Sequence, residues 1–163
     1  MPDFDTFGAS AVYAPTLNRI YVFGGINVNN NVAVSTTRIY TITTNTWGTG
    51  APMPAGRNQM GAGYWNGKIY LVGGRNTAFG GNRQNLTWEY DIAGNSWTTG
   101  ANMPVALTYG RAITAGNYIY YVGGIAAATV LIPRHGSTRT ACCRPGRGST
   151  RRNSAGGSAR AAR

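Results

Sequence analysis

Apolar side chains in this chain come in short runs, each closed by two glycines: Ile20-Tyr21-Val22-Phe23-Gly24-Gly25, Ile69-Tyr70-Leu71-Val72-Gly73-Gly74 and Ile119-Tyr120-Tyr121-Val122-Gly123-Gly124. Successive runs start 49 and 50 residues apart. Runs this short, rich in β-branched and aromatic residues and bounded by Gly, Asn and Pro, predict strands rather than helices. The positions between the runs keep the same register. Tyr40 returns as Tyr90, Trp47 as Trp97, and Met53-Pro54 as Met103-Pro104. Asn45, Thr49, Gly50 and Ala51 return as Asn95, Thr99, Gly100 and Ala101. A fixed period of this size marks a repeat architecture, in which each unit hides its apolar surface only by stacking on a neighbour.

Each repeat reads as four strands. The first is rich in small residues and covers 7–13, 60–65 and 108–114. The second is the apolar run. A polar loop follows, at 27–36 and 75–85, then a third strand at 37–42 and 86–92, and a fourth around Trp47 and Trp97. Asn66-Gly67 predicts a two-residue hairpin between the first two strands of the second repeat. Gly8, Gly61, Gly63 and Gly110 fit a crowded centre where first strands converge. The paired glycines allow positive φ at the exit from the second strand. Trp47 and Trp97 supply large area for stacking one repeat on the next, and truncating either, if buried, is expected to cost about 3–5 kcal/mol.

The apolar strand with Gly-Gly, then Tyr40 or Tyr90, then Trp47 or Trp97 seven residues later, then Met-Pro, resembles the kelch motif. Tyr90-Asp91 keeps that family's Tyr-Asp pair, and Tyr40-Thr41 departs from it. The resemblance covers about residues 6–130. It implies an all-β fold, a partial kelch-type β-propeller of four-stranded antiparallel blades at about 6–54 and 58–104, with a half blade at 107–130. Propellers in general use roughly 4–8 blades, so two and a half read as a fragment. Its open faces predict association with further blades or with itself, aggregation or partial unfolding.

Charge divides the chain in two. The full 163 residues carry a net +11. Residues 1–130 hold seven basic and four acidic residues, a net of +3, while 131–163 hold eight arginines and no acid. Every aromatic residue lies before residue 122. A segment so poor in apolar surface does not offset its ordering entropy, so the C-terminal tail is expected to be disordered. It also breaks the register: Thr140, Arg147 and Ser154 stand where Tyr, Trp and Pro are due. Its alphabet of Arg, Gly, Ala, Ser and Thr is what GC-rich codons yield out of frame, which makes a frame-shifted or fused tail the expected origin. An alternative frame of the parent locus should then restore Tyr and Trp near 140 and 147. The competing reading is a disordered, sequence-independent and salt-dependent nucleic-acid binder. Cys142-Cys143, being adjacent, reads as incidental. No apolar run is long enough for a membrane span and no apolar leader is visible. The Thr-, Asn- and Gly-rich repeats, with Lys68 as their single lysine, resemble extracytoplasmic bacterial kelch proteins.

No catalytic set emerges. Some kelch-like propellers are oxidases that hold copper through Tyr and His, but His135, the single histidine, lies in the tail, and the repeats contain no cysteine. No metal site and no cofactor are expected. Glu89 and Asp91 share a strand face and read as solvated or ion-paired. Gly80-Gly81 lacks the helix and lysine of a phosphate cradle. In an antiparallel meander, the loops between second and third strands share one propeller face with the inter-blade loops. Those loops hold Asn27, Asn29, Asn30, Arg75, Asn76, Phe79 and Arg83, with Arg57 and Asn58 beside them. The competing reading is solvated polar loops. Arg57, Arg75 and Arg83 come first as candidates, because arginine forks suit carboxylate partners. Arg57 matches the family's Met-Pro-x-x-Arg position, where the second copy has Leu107. Kelch proteins often hold a peptide or a glycan on such a face, so the resemblance implies a non-catalytic module for a protein or carbohydrate partner. The alternative is a piece of a larger propeller enzyme whose catalytic residues lie elsewhere. His and Tyr at inward loop positions of a parent sequence would separate the two.

Overall fold

A computed structural model describes residues 5–77 and 82–126. The tail from 131 on, the end of the third repeat, Phe79 and Gly80-Gly81 lie outside the described residues. The first repeat contains β1 (Thr6–Phe7), β2 (Ser10–Ala14), β3 (Arg19–Phe23), β4 (Ile26–Asn27), β5 (Thr37–Thr41) and β6 (Thr46–Thr49). The second contains β7 (Gly61–Trp65), β8 (Lys68–Val72), β9 (Thr87–Asp91) and β10 (Ser96–Thr99). The third contains β11 (Leu107–Thr108), β12 (Arg111–Ala115), β13 (Tyr118–Val122) and β14 (Ile125–Ala126). Strands β2-β3-β5-β6 and β7-β8-β9-β10 form two four-stranded antiparallel meanders, and β12-β13 forms a two-stranded one. Two short ribbons, β1-β4 and β11-β14, sit at the loop end.

The first strand is not continuous as expected over 7–13 and 108–114. It breaks at Gly8 and Tyr109, where φ is 69° and 65°. Gln59, at the same place in the second repeat, has φ 55°. The kink turns backbone amides toward the preceding repeat: Tyr109 N–H donates to Gln59 O at 3.2 Å, and Gln59 N–H to Gly8 O at 2.8 Å. Gly8 therefore serves this turn rather than crowding, since an added Cβ there would meet only ordinary contacts. Gly61, Gly63 and Gly110 do face close neighbours, Gly110 lying directly against the Tyr121 ring. The Asn66-Gly67 hairpin forms with positive φ at both residues, as a type I′ turn requires.

Each paired glycine also receives the next repeat. Gly25 N–H donates to Arg57 O at 3.0 Å, and Gly74 N–H to Leu107 O at 2.8 Å. The core lies between sheets, in two clusters. Val12, Ala14, Tyr21 and Phe23 of the first sheet meet Met60, Ile69, Leu71, Trp88 and Tyr90 of the second. Tyr70 and Val72 of the second meet Ile119 and Tyr121 of the third.

The tryptophans divide unequally. Trp97 packs edge-on against Phe23 at 5.6 Å between ring centres, and its Nε1–H donates to Ala51 O at 2.9 Å, so it joins two repeats. Trp47 packs at a tilt against Tyr40 of its own sheet, 5.0 Å between ring centres. Both indoles are only partly buried. The full cost expected for a buried tryptophan therefore applies to neither.

Candidate functional site

The loop end gathers most of the residues singled out by sequence. Asn58 and Arg75 exchange backbone hydrogen bonds of 2.9 Å each way. Arg75 also bridges Arg83, and Thr77 bridges Val32 of the first repeat's loop. The described parts of the inter-repeat loop and of the two long polar loops are thus linked along one end of the sheets, forming a rim.

Within that rim the candidates separate by exposure. Asn27 is half-buried, and its Oδ1 accepts the backbone N–H of Asn29 at 2.9 Å. Asn29 is exposed, and its Nδ2 donates to Asp5 at 3.0 Å. Val28 N–H donates to Asp5 O at 2.8 Å, so this loop is pinned to the N-terminal segment. Asn30 is exposed and caps Val32 N–H with its side chain. Asn76 is exposed, while Arg75 and Arg83 are half-buried. The guanidinium of Arg75 lies over the ring of Tyr109, 5.2 Å from its centre. Arg83 Nε has no hydrogen-bond partner among the described residues.

Arg57 and Asn58 correct the sequence reading of a presented pair. Arg57 is 2% exposed. Its guanidinium lies flat over Trp88 at 3.4 Å from the ring centre, and Nη1 donates to Gly73 O and Leu86 O at 3.4 and 3.5 Å. Burial pushes its pKa down to about 10, so the group is still cationic at neutral pH. A charge there answers the negative face of the indole and two carbonyls, and it is not presented to a ligand. Asn58 is fully buried; its Nδ2 donates to Arg75 O at 3.2 Å and Thr77 O at 3.0 Å. Its Oδ1 has no partner among the described residues. Asn58 shapes the Arg75–Thr77 segment from beneath.

The repeat residues do structural work at the opposite end and between sheets. Tyr40 and Tyr90 each donate from the hydroxyl to Asn45 and Asn95, at 2.7 and 2.6 Å. Asn95 Oδ1 also accepts Ala51 N–H at 2.7 Å, across the repeat boundary. Gly24, Gly25, Gly73, Gly74, Gly123 and Gly124 all have positive φ. Glu89 pairs with Lys68 at 3.5 Å, and Asp91 caps the β9–β10 turn by accepting Ala93 and Gly94 N–H. Both carboxylates are thereby occupied structurally. Among the described residues no group of three His, Cys, Asp or Glu could hold a metal, and no helix is long and apolar enough to cross a membrane.

Two residues at this rim escaped the sequence reading. Trp88 stands where the first repeat has Arg38, and Tyr109 where it has Gly8. Both depart from the repeat, so periodicity could not mark them; departure at a rim position is the signal that could have.

Antiparallel four-stranded sheets, stacked face to face at a fifty-residue period with paired glycines at each junction, define a repeat protein of the β-propeller type. The kelch motif matches at residues 14–54 and 56–104, more than half of the chain, and the chain belongs to the kelch-repeat family. Kelch repeats are typically protein-interaction modules and generally non-catalytic. Comparison with curated proteins finds no match.

Proposed function

We propose that this kelch module is a non-catalytic binder whose rim takes a protein partner through carboxylate-bearing side chains. The observation that carries this reading is the antiparallel backbone bridge between Arg75 and Arg83, which sets these two half-buried arginines opposite one another next to exposed Asn76. Arginine forks recognise carboxylates in two-point fashion, and Arg75 is held in place by Tyr109. Arg57, buried over Trp88, supports the rim from below.

A hexaglutamate peptide titrated into the full chain at low salt tests this. The R75A/R83A double variant should bind about tenfold more loosely, since two charge-assisted contacts are lost. The tail arginines are common to both proteins, so equal affinities would refute the rim reading. One observation favours a carbohydrate as second reading: Tyr109 is 49% exposed beside Arg75, and an exposed tyrosine there offers a platform for a sugar face. Loss of oligosaccharide binding in Tyr109→Ala, with peptide binding retained, would select it.

A further inference from the structure

Two sheet faces of this chain are left without a neighbour among the described residues, and they are the two halves of an interface the chain already makes inside itself. Where the first sheet meets the second, it offers Val12, Tyr21 and Phe23. The second answers with Tyr64, Tyr90 and Trp97. At the repeat period the same receiving positions in the third sheet are Ile113, Tyr120 and Val122, of which Ile113 and Val122 are 54% and 56% exposed. The same inserting positions in the first sheet are Tyr13, Tyr40 and Trp47, with Tyr13 47% exposed.

The inserting face is already in its docked form. Tyr40 holds Asn45 as Tyr90 holds Asn95, and Tyr40 and Trp47 meet at the same tilt as Tyr90 and Trp97, at 5.0 and 4.9 Å between ring centres. The receiving face also keeps its junction. An added Cβ at Gly24 or Gly73 would run into the carbonyl of Arg57 or Leu107 in the following repeat. At Gly123 it would meet open space among the described residues. Residues 127–163 contain no Phe, Trp or Tyr.

We infer that the third sheet of one chain receives the first sheet of a second copy, head to tail, with Tyr40 against Tyr120 and Val122 and with Trp47 against Val122. Such a contact is heterologous: each copy uses a different face, so association propagates until a ring closes. Burial of these aromatic and aliphatic side chains drives it.

Two aspartate variants test the direction of docking. Val122→Asp disables the receiving face and Tyr13→Asp the inserting face, both at exposed positions. Sedimentation of the full chain should show oligomers whose size rises with concentration. Each variant alone should sediment as a monomer, and an equimolar mixture should form a heterodimer that grows no further. A monomeric parent, variants that associate as the parent does, or a mixture that stays monomeric would each overturn the inference. Retention of the near-ultraviolet circular dichroism of the Tyr90–Trp97 cluster reports that a variant is folded. If either is not, Ile113→Asp and Ile42→Asp replace them on the same two faces, and the same outcomes apply.

Discussion

Arg57 shows how little a motif position says about the direction a side chain takes. Its charge is held by one indole face and two carbonyls, so Arg57→Lys keeps the charge but loses the flat contact with Trp88. That substitution should destabilise the fold by about 1–2 kcal/mol, seen as a lower urea midpoint. The two tryptophans make a second residue-scale contrast. Trp97→Ala removes contacts with Phe23, Tyr90 and the Ala51 carbonyl, and should cost about 2–3 kcal/mol. Trp47→Ala removes a contact within its own sheet and should cost about 1 kcal/mol under monomeric conditions. Equal midpoints for the two variants would contradict their different packing. The glycines show the same kind of contrast: Gly24→Ala collides with the Arg57 carbonyl and should prevent the first two sheets from docking. Gly123→Ala, which meets open space among the described residues at φ 72°, should cost a monomer only the left-handed strain of about 1–2 kcal/mol.

At the scale of elements, the buried hydroxyls of β9 and β13 tie strand packing to pH. Tyr90 is pushed above its usual pKa, first by burial and then by the neighbouring Tyr21 and Asp91. Burial also raises Tyr121, against the opposing effect of the Gly110 N–H bonded to its hydroxyl. A phenol whose folded pKa is raised holds its proton longer in the fold than in the unfolded chain. Its contribution is therefore complete below about pH 10, the unfolded value, and declines as pH rises through the folded value. Sheet packing should loosen as pH rises beyond 10, with tyrosinate absorbance of these two residues appearing together with loss of the near-ultraviolet signal.

At the scale of the whole molecule, charge and core belong to different parts of the chain. The net +11 is concentrated in 131–163, which contributes eight arginines and no aromatic residue. A chain ending at residue 130 should keep the circular dichroism of the stacked sheets and lose salt-sensitive binding to heparin or nucleic acid. Persistence of that binding in the shortened chain would move it to the repeats, whose own net charge is +3.

Periodicity was sufficient to read the four-stranded meander, the positive-φ glycine pairs at the strand exits and the sheet-facing aromatics, because each repeat must solve the same packing problem with the same residue types; that those pairs also receive the next repeat emerged only from the stacked sheets. It also located the rim that gathers Asn58, Arg75 and Arg83, since strand alternation sends those loops to one end. It failed wherever a position's meaning lay in a neighbour far along the chain. Arg57 matched a family position, yet Trp88 and the carbonyls of Gly73 and Leu86 turned it inward. Gly8 looked like a concession to crowding, and its role came from a backbone amide of Gln59 that seeks its carbonyl. Trp47 and Trp97 are equivalent in register and unequal in space, because only one has a preceding sheet among the described residues to pack on. Local pattern encodes what a residue does to its own strand, through side-chain period and backbone preference. Burial, partner and charge environment arise between repeats, and they exist only once the sheets have stacked.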